Sequence, residues 1–157
     1  PSGALIVDIA NRDMPGYIDG AINVIDVEDV ARGHLLAAER GRIGERYILG
    51  NENLMVRDFF RMVAEIAGVK PPRLKLPHVV ALSLGHLFEV QARITGKPPV
   101  VSVSQVRLGK MGEHFDNSKA VNELGMQLTP VRITIEKTIN WFRENGYIRK
   151  RGQSSLR

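Results

Sequence analysis

The chain has 157 residues, room for one domain with a real core rather than two. Hydrophobic residues make up 43% and charged residues 25%, which excludes wholesale disorder, and no run of about 18 apolar residues exists to span a membrane. There is no cysteine, so disulfides, thiolate metal sites, Fe–S clusters and cysteine nucleophiles are excluded, and the composition fits a cytoplasmic protein. The net charge of +5 is misleading as a sign of nucleic acid. Four of the 22 basic residues, Arg149, Lys150, Arg151 and Arg157, lie in the last nine positions, and the remainder nearly balances the 17 acidic ones. Residues 149–157 read as a basic, disordered tail.

Pro1 opens the chain with no signal-peptide pattern after it, so the chain is expected to start inside a longer reading frame or after processing. Residues 3–12 read as a short, largely buried helix, broken by Pro15, Gly16 and Gly20. Residues 21–25 are a brief strand. Asp26 is a helix N-cap, with Asp29 three positions on as an acidic variant of the capping box. That helix runs to Arg40, with Gly41 after it, and its apolar face is predicted to hold Val27, Val30, Ala31, Leu35 and Ala38, with His34 a core residue.

Residues 46–50, RYILG, have strand composition, and residues 51–53 are predicted to turn the chain. Residues 55–67 form an amphipathic helix closed by Gly68, and the proline-stiffened stretch 70–77 is an extended connector. Residues 78–95 are a long helix, apolar on most sides over its first turns, and so expected to be buried or to line a pocket. A short helix over 102–108 and a short strand over 113–115 follow. Asp116 then caps a helix ending at Leu124, and Thr129 with Pro130 starts the last helix, whose buried face is Val131, Ile135, Ile139 and Phe142.

None of the 15 glycines makes a strand, spaced-glycine, helix phosphate loop. The pair Gly41 and Gly44 follows a helix and precedes a strand, and the pair Gly109 and Gly112 also precedes a strand. Proton transfer by a tyrosine with a lysine one helical turn on is absent as well. Tyr17 is followed four residues later by Ala21, Tyr47 by Asn51 and Tyr147 by Arg151. The histidines at 34, 78, 86 and 114 are too scattered for a metal site; His86, set in an apolar helix, is a candidate pocket residue.

Two stretches carry a resemblance: NVIDVEDVARGHLLAAERGRIGERYILGNENL and FDNSKAVNELGMQLTPVRITIEKTINWFRENGYI, with the opening PSGALIVDIANRDMPGYIDG in keeping. In this order they resemble the C-terminal half of extended short-chain dehydrogenases/reductases of the NAD-dependent epimerase/dehydratase family, on the branch of dihydroflavonol-4-reductase-like proteins and hopanoid-associated sugar epimerases. The resemblance covers residues 1–148. It implies an α/β fold: the helix-rich C-terminal lobe of an NAD(P)-binding Rossmann-type protein, with a few short strands, of which residues 46–50 would complete the Rossmann sheet. In such enzymes the glycine loop, the catalytic Ser or Thr and the Tyr-x-x-x-Lys pair belong to the N-terminal half, so no residue here is catalytic or cofactor-binding.

The resemblance further implies NAD or NADP in the complete protein, with none bound by this chain alone. Relatives acting on nucleotide sugars carry an arginine where Ile22 stands, and an arginine-bearing stretch where this chain reads GKMGEHF, which disfavours a diphosphate substrate. Asn23 stands where plant relatives have a glutamine that contacts flavonoid hydroxyls. The implied substrate is a carbonyl- or hydroxyl-bearing small molecule, met by Asn23, Tyr17 and His86. Expected partners are that substrate, the N-terminal Rossmann half and a second copy by self-association, with no membrane. The alternatives are a stand-alone binding module and a small basic nucleic-acid-binding protein.

Overall fold

The computed structural model describes residues 2–96, 103, 104, 106, 107 and 114–149. Its elements run α1 (Ser2–Asn11), β1 (Gly16–Tyr17), β2 (Ala21–Val24), α2 (Val27–Arg40), β3 (Glu52–Met55), α3 (Val56–Ala67), β4 (Leu74–Lys75), α4 (His78–Thr95), α5 (Ser118–Leu124) and α6 (Val131–Glu144). Three of the helices build the main core. Apolar residues recur three or four apart, which puts them on one face of each helix. Ile6, Ile9 and Ala10 of α1 meet Phe59, Phe60, Val63 and Ala64 of α3 and Val131, Ile135 and Ile139 of α6, with Ile148 closing the cluster. Full burial of each large member stabilises by about 1.5–3 kcal/mol. The predicted face of the last helix is the buried one, with Phe142 packed at its margin.

The strands are short. β2 pairs antiparallel with β3, Ala21 opposite Met55 and Asn23 opposite Asn53. β1 pairs in parallel with β4, Gly16 opposite Leu74. A Cβ on Gly16 would sit 2.4 Å from the Leu74 carbonyl oxygen, so this approach needs glycine. The connector over residues 70–77 is thus extended, as expected, and part of it forms a ladder.

Several expectations are corrected. Residues 51–53 do not simply turn: Glu52 and Asn53 already belong to β3. Residues 46–50 form no ladder, and the backbone N–H groups of residues 46–49 bond to no described residue. The cause is that no strand among the described residues lies beside them. The side chains still alternate as in a strand. Tyr47 and Leu49 pack against a second cluster of Ala120, Leu124 and Met126, while Ile48 stays exposed.

The buried face of α2 is not the predicted one. Val27 and Leu35 are exposed, whereas Asp29 and Gly33 are buried and Leu36 and Ala37 pack on the second cluster. His34 is exposed too, its Nδ1 2.8 Å from the Val30 carbonyl oxygen. Hydrophobic spacing misplaced the face because a buried carboxylate, not a methyl group, marks its centre.

α4 has the predicted bounds but is not enclosed by the described residues. Only Ala81 and Gly85 are buried, and most of its large apolar side chains face outward. Of the short helix expected over 102–108, positions 103, 104, 106 and 107 are helical and the others lie outside the described residues. Of the strand expected over 113–115, Glu113 lies outside the described residues, and His114 and Phe115 form no strand. Both backbone groups of Phe115 bond the Asn53 side chain instead.

Capping differs at two helices. Asp26 caps α2, accepting from Glu28 N–H at 2.9 Å. At α5 the cap position is Asn117, without a side-chain cap bond, and Asp116, one residue earlier, accepts from Ser118 N–H at 2.9 Å. Thr129 does not cap α6. Pro130 occupies the cap position, and Glu52 Oε1 accepts from Val131 N–H at 3.1 Å. Of the tail, residues 150–157 lie outside the described residues, and Arg149 is held by both Asp13 oxygens at 3.1 and 2.8 Å.

Candidate functional site

The candidate residue Asn23 stands on β2 at the centre of an amide network. Its Oδ1 accepts from Asn51 N–H at 3.1 Å, and its Nδ2 donates to Asn53 Oδ1 at 2.9 Å. Asn53 in turn holds Phe115 through both its amide atoms, at 3.0 and 3.1 Å. Asn51 Nδ2 donates to the Thr129 carbonyl at 2.7 Å, and Asn117 Nδ2 donates to the Gly50 carbonyl at 2.7 Å. A Cβ on Gly50 would lie 2.7 Å from Asn23 Oδ1, so the glycine lets the loop close onto that amide. The network pins residues 50–53 against the starts of α5 and α6. It leaves Asn23 one Nδ2 hydrogen for another partner.

Tyr17 sits on β1 with its ring edge-on to Phe60, centroids 6.0 Å apart. Its carbonyl accepts from Leu76 N–H at 2.8 Å, and its hydroxyl bonds to no described residue. His86 lies on the exposed side of α4 and likewise bonds to none. No hydrogen bond or ring contact among the described residues joins Asn23, Tyr17 and His86 to one another.

Beside the network, two carboxylates are buried at the start of α2, Asp26 at its cap and Asp29 in its first turn. Asp29 is no member of a capping box: its Oδ2 accepts from Thr129 N–H at 2.6 Å, its Oδ1 from the Thr129 hydroxyl at 3.0 Å, and Arg32 pairs with the same oxygen. Burial pushes this carboxyl upward, but the two Thr129 bonds and Arg32 outweigh it and hold the group below its ordinary value of 3.8. Asp26 carries a second bond, accepting from the Thr134 hydroxyl at 2.9 Å. Every buried side-chain polar atom among the described residues is satisfied. The loop so clamped borders an open cavity of about 390 Å³, lined by Arg32, Leu36 and residues 125–130. None of the three candidate residues lines it, and neither does α4.

A surface cluster fastens the strand-like residues 46–50. Tyr47 hydroxyl donates to Glu123 at 2.9 Å, Arg42 pairs with Glu123 at 2.6 Å, and Lys119 pairs with Glu45 at 2.5 Å. The Arg42 bond lowers the Glu123 carboxyl below its usual range, and the Lys119 bond does the same for Glu45. Apart from Tyr47, weighed above only as a proton donor, these groups were not singled out from the sequence; nor were Asn51, Asn53 and Asn117 as site residues. The alternation Asn51, Glu52, Asn53 was the available signal, since every second residue of an extended segment shares a face. Among the described residues, no group of three His, Asp or Glu could hold a metal ion.

No protein-family model matches the chain. It is 33% identical over 153 residues to a Synechocystis sp. protein named a dihydroflavonol 4-reductase, covering 95% of this chain and 45% of that one. Two solved structures superpose with TM-score 0.76 over 95% of the chain: gox2253 at 43% identity, and a nucleoside-diphosphate-sugar epimerase from Pseudomonas aeruginosa at 35%. The chain covers 45% and 44% of these two. The fold alone is shared with the Bordetella bronchiseptica enzyme WbmF, solved with NAD+, at 22% identity and TM-score 0.58. The chain thus spans slightly less than half the length of the relatives it matches, and its helix-rich architecture is that of their C-terminal lobe. Over that length, it belongs to the short-chain dehydrogenase/reductase family, among the NAD-dependent epimerase/dehydratase and dihydroflavonol reductase-like proteins.

Proposed function

We propose that this chain is the substrate-binding portion of an NAD(P)-dependent oxidoreductase or epimerase that acts on a carbonyl- or hydroxyl-bearing small molecule. The observation that carries the reading is the state of residues 46–49. They alternate like a strand, are fastened by Tyr47 and Leu49, and offer their backbone N–H groups to no described residue. Such an edge fits a sheet supplied by a Rossmann half. That half would hold the nicotinamide cofactor, which supplies the hydride chemistry, and the groups that move the proton.

The part played by this lobe is to shape and orient. Asn23 keeps one amide hydrogen for a substrate oxygen, and Tyr17 and His86 keep uncommitted polar atoms. The expected substrate carries no diphosphate, because Ile22 offers no cation where nucleotide-sugar enzymes place one.

Two observations test the proposal. The reading frame upstream of Pro1 is expected to encode a glycine-rich strand–turn–helix and a Tyr-x-x-x-Lys pair; their absence would favour a stand-alone binding module. Titration of NADH and NADPH into this chain alone is expected to show no binding at micromolar concentration, where affinity is worth about 8 kcal/mol. Micromolar binding or hydride transfer by the isolated chain would overturn the assignment of cofactor binding to another segment.

A further inference from the structure

The outer face of α4 is apolar without interruption by charge. At 100° per residue, Val79, Val80, Leu84, Leu87, Val90 and Ile94 fall within an arc of about 140°. Their exposure runs from 36% at Leu84 to 80% at Ile94. Ser83 and Gln91 complete the arc, which contains no Asp, Glu, Lys or Arg. The opposite face is the one that packs. Ala81 and Gly85 are buried there, and a Cβ on Gly85 would meet Val103 at 3.2 Å. No residue of α4 belongs to either core cluster. Eighteen residues make a rod about 27 Å long, too little apolar to cross a bilayer.

Charge around this rod is one-sided. Between positions 70 and 107 stand Lys70, Arg73, Lys75, Arg93, Lys97 and Arg107 against Glu89 alone. The Glu89 carboxylate is already engaged, accepting from Val103 N–H at 2.9 Å. Lys75 is itself paired, with Asp19 at 2.5 Å, and Arg42, Lys119, Arg132 and Arg149 are paired elsewhere in the fold. Lys70, Arg73, Arg93 and Arg107 are exposed and make no ion pair or hydrogen bond with a described residue.

We propose that α4 is a docking element for an anionic lipid surface, lying in the interface with Val79, Leu87, Val90 and Ile94 among the acyl chains and the free cations at the headgroups. An exposed apolar face beside unpaired Lys and Arg is the pattern that binds such a surface. A second copy fits less well, because joining two such faces brings together the net positive charge of positions 70–107 twice over, with no acid on the arc to offset it. The expectation of no membrane partner rested on the lack of a spanning segment, and a surface helix needs none.

The test is flotation of the 157-residue chain with vesicles of phosphatidylcholine alone or mixed with phosphatidylglycerol. Binding is expected to the anionic vesicles and to weaken about tenfold or more when ionic strength rises from about 0.05 to about 0.5 M. Leu87→Glu with Val90→Glu is expected to weaken it by a similar factor. Lys70→Glu with Arg73→Glu does the same while leaving the apolar face intact, which guards against misfolding of the first variant. Ile48→Glu, on the unpaired extended segment, leaves vesicle binding unchanged. The proposal is overturned by equal binding to neutral vesicles, by no binding to anionic ones, or by loss of binding in Ile48→Glu. Sedimentation showing a dimer that Leu87→Glu dissolves, without lipid binding, would assign the face to a second copy.

Discussion

Replacing Asp29 by Asn tests whether the buried carboxylate of α2 holds the loop before α6. The Asp29 side chain is fully buried and receives Thr129 N–H at 2.6 Å, the Thr129 hydroxyl at 3.0 Å and the Arg32 guanidinium. Asparagine keeps the shape but offers one acceptor instead of two. If its oxygen faces Thr129 N–H, its NH2 meets Arg32, donor against donor. Arg32 is half-exposed and swings into water, so the loss is one charge-assisted bond and the charge on the remaining ones. The expected cost is about 2 kcal/mol, or a fall in Tm of about 4–8 °C for a chain of this size.

The pH dependence gives a second reading of the same contact. The folded carboxyl is held below 3.8, so its ionised form contributes stability above the unfolded value, and that contribution is lost as pH falls through the lowered folded value. Urea melts at pH 7 are expected to show a lower midpoint for the variant with an unchanged slope. The gap between the two proteins should narrow as the pH drops below about 4. A cost under about 0.5 kcal/mol at pH 7 would refute the reasoning, since that is less than a single neutral hydrogen bond. So would a gap that acid leaves unchanged.

Two other expectations follow from the helix starts and the open edge. Met55 occupies the cap position of α3 with extended backbone and no side-chain cap bond, and the Asn53 amide is committed to Asn23 and Phe115. Met55→Thr is therefore expected to stabilise by about 0.5–1 kcal/mol in denaturant melts, and a loss would show that Met55 acts by packing. The unpaired segment 46–49 should drive self-association of the isolated chain, and Ile48→Glu should weaken it by placing a charge on the edge. Sedimentation that finds the unsubstituted chain monomeric would count against this.

Most of the helices were legible in the sequence because local rules decide them. α1, α3 and α6 each carry apolar residues at three- and four-residue spacing, and those faces form the main core. Asp26, Gly68 and Gly125 mark helix ends through bonds reaching no further than one turn. The resemblance was legible for another reason: it lies in the order of short stretches, which needs no coordinates. The position of Asn23 was legible too, as a strand residue.

Tertiary structure alone decided what depends on residues far apart in the chain. Asp29 looked like a local cap, yet it bonds Thr129, a hundred residues on. Thr129 looked like a cap for α6, and with its hydroxyl drawn away by Asp29 the role passes to Glu52. The outward face of α4 could not be foreseen, because an apolar helix reads the same whether it is enclosed or bare. Residues 46–50 show the same limit in reverse. Strand composition is a property of the segment, but a ladder is a property of the pair.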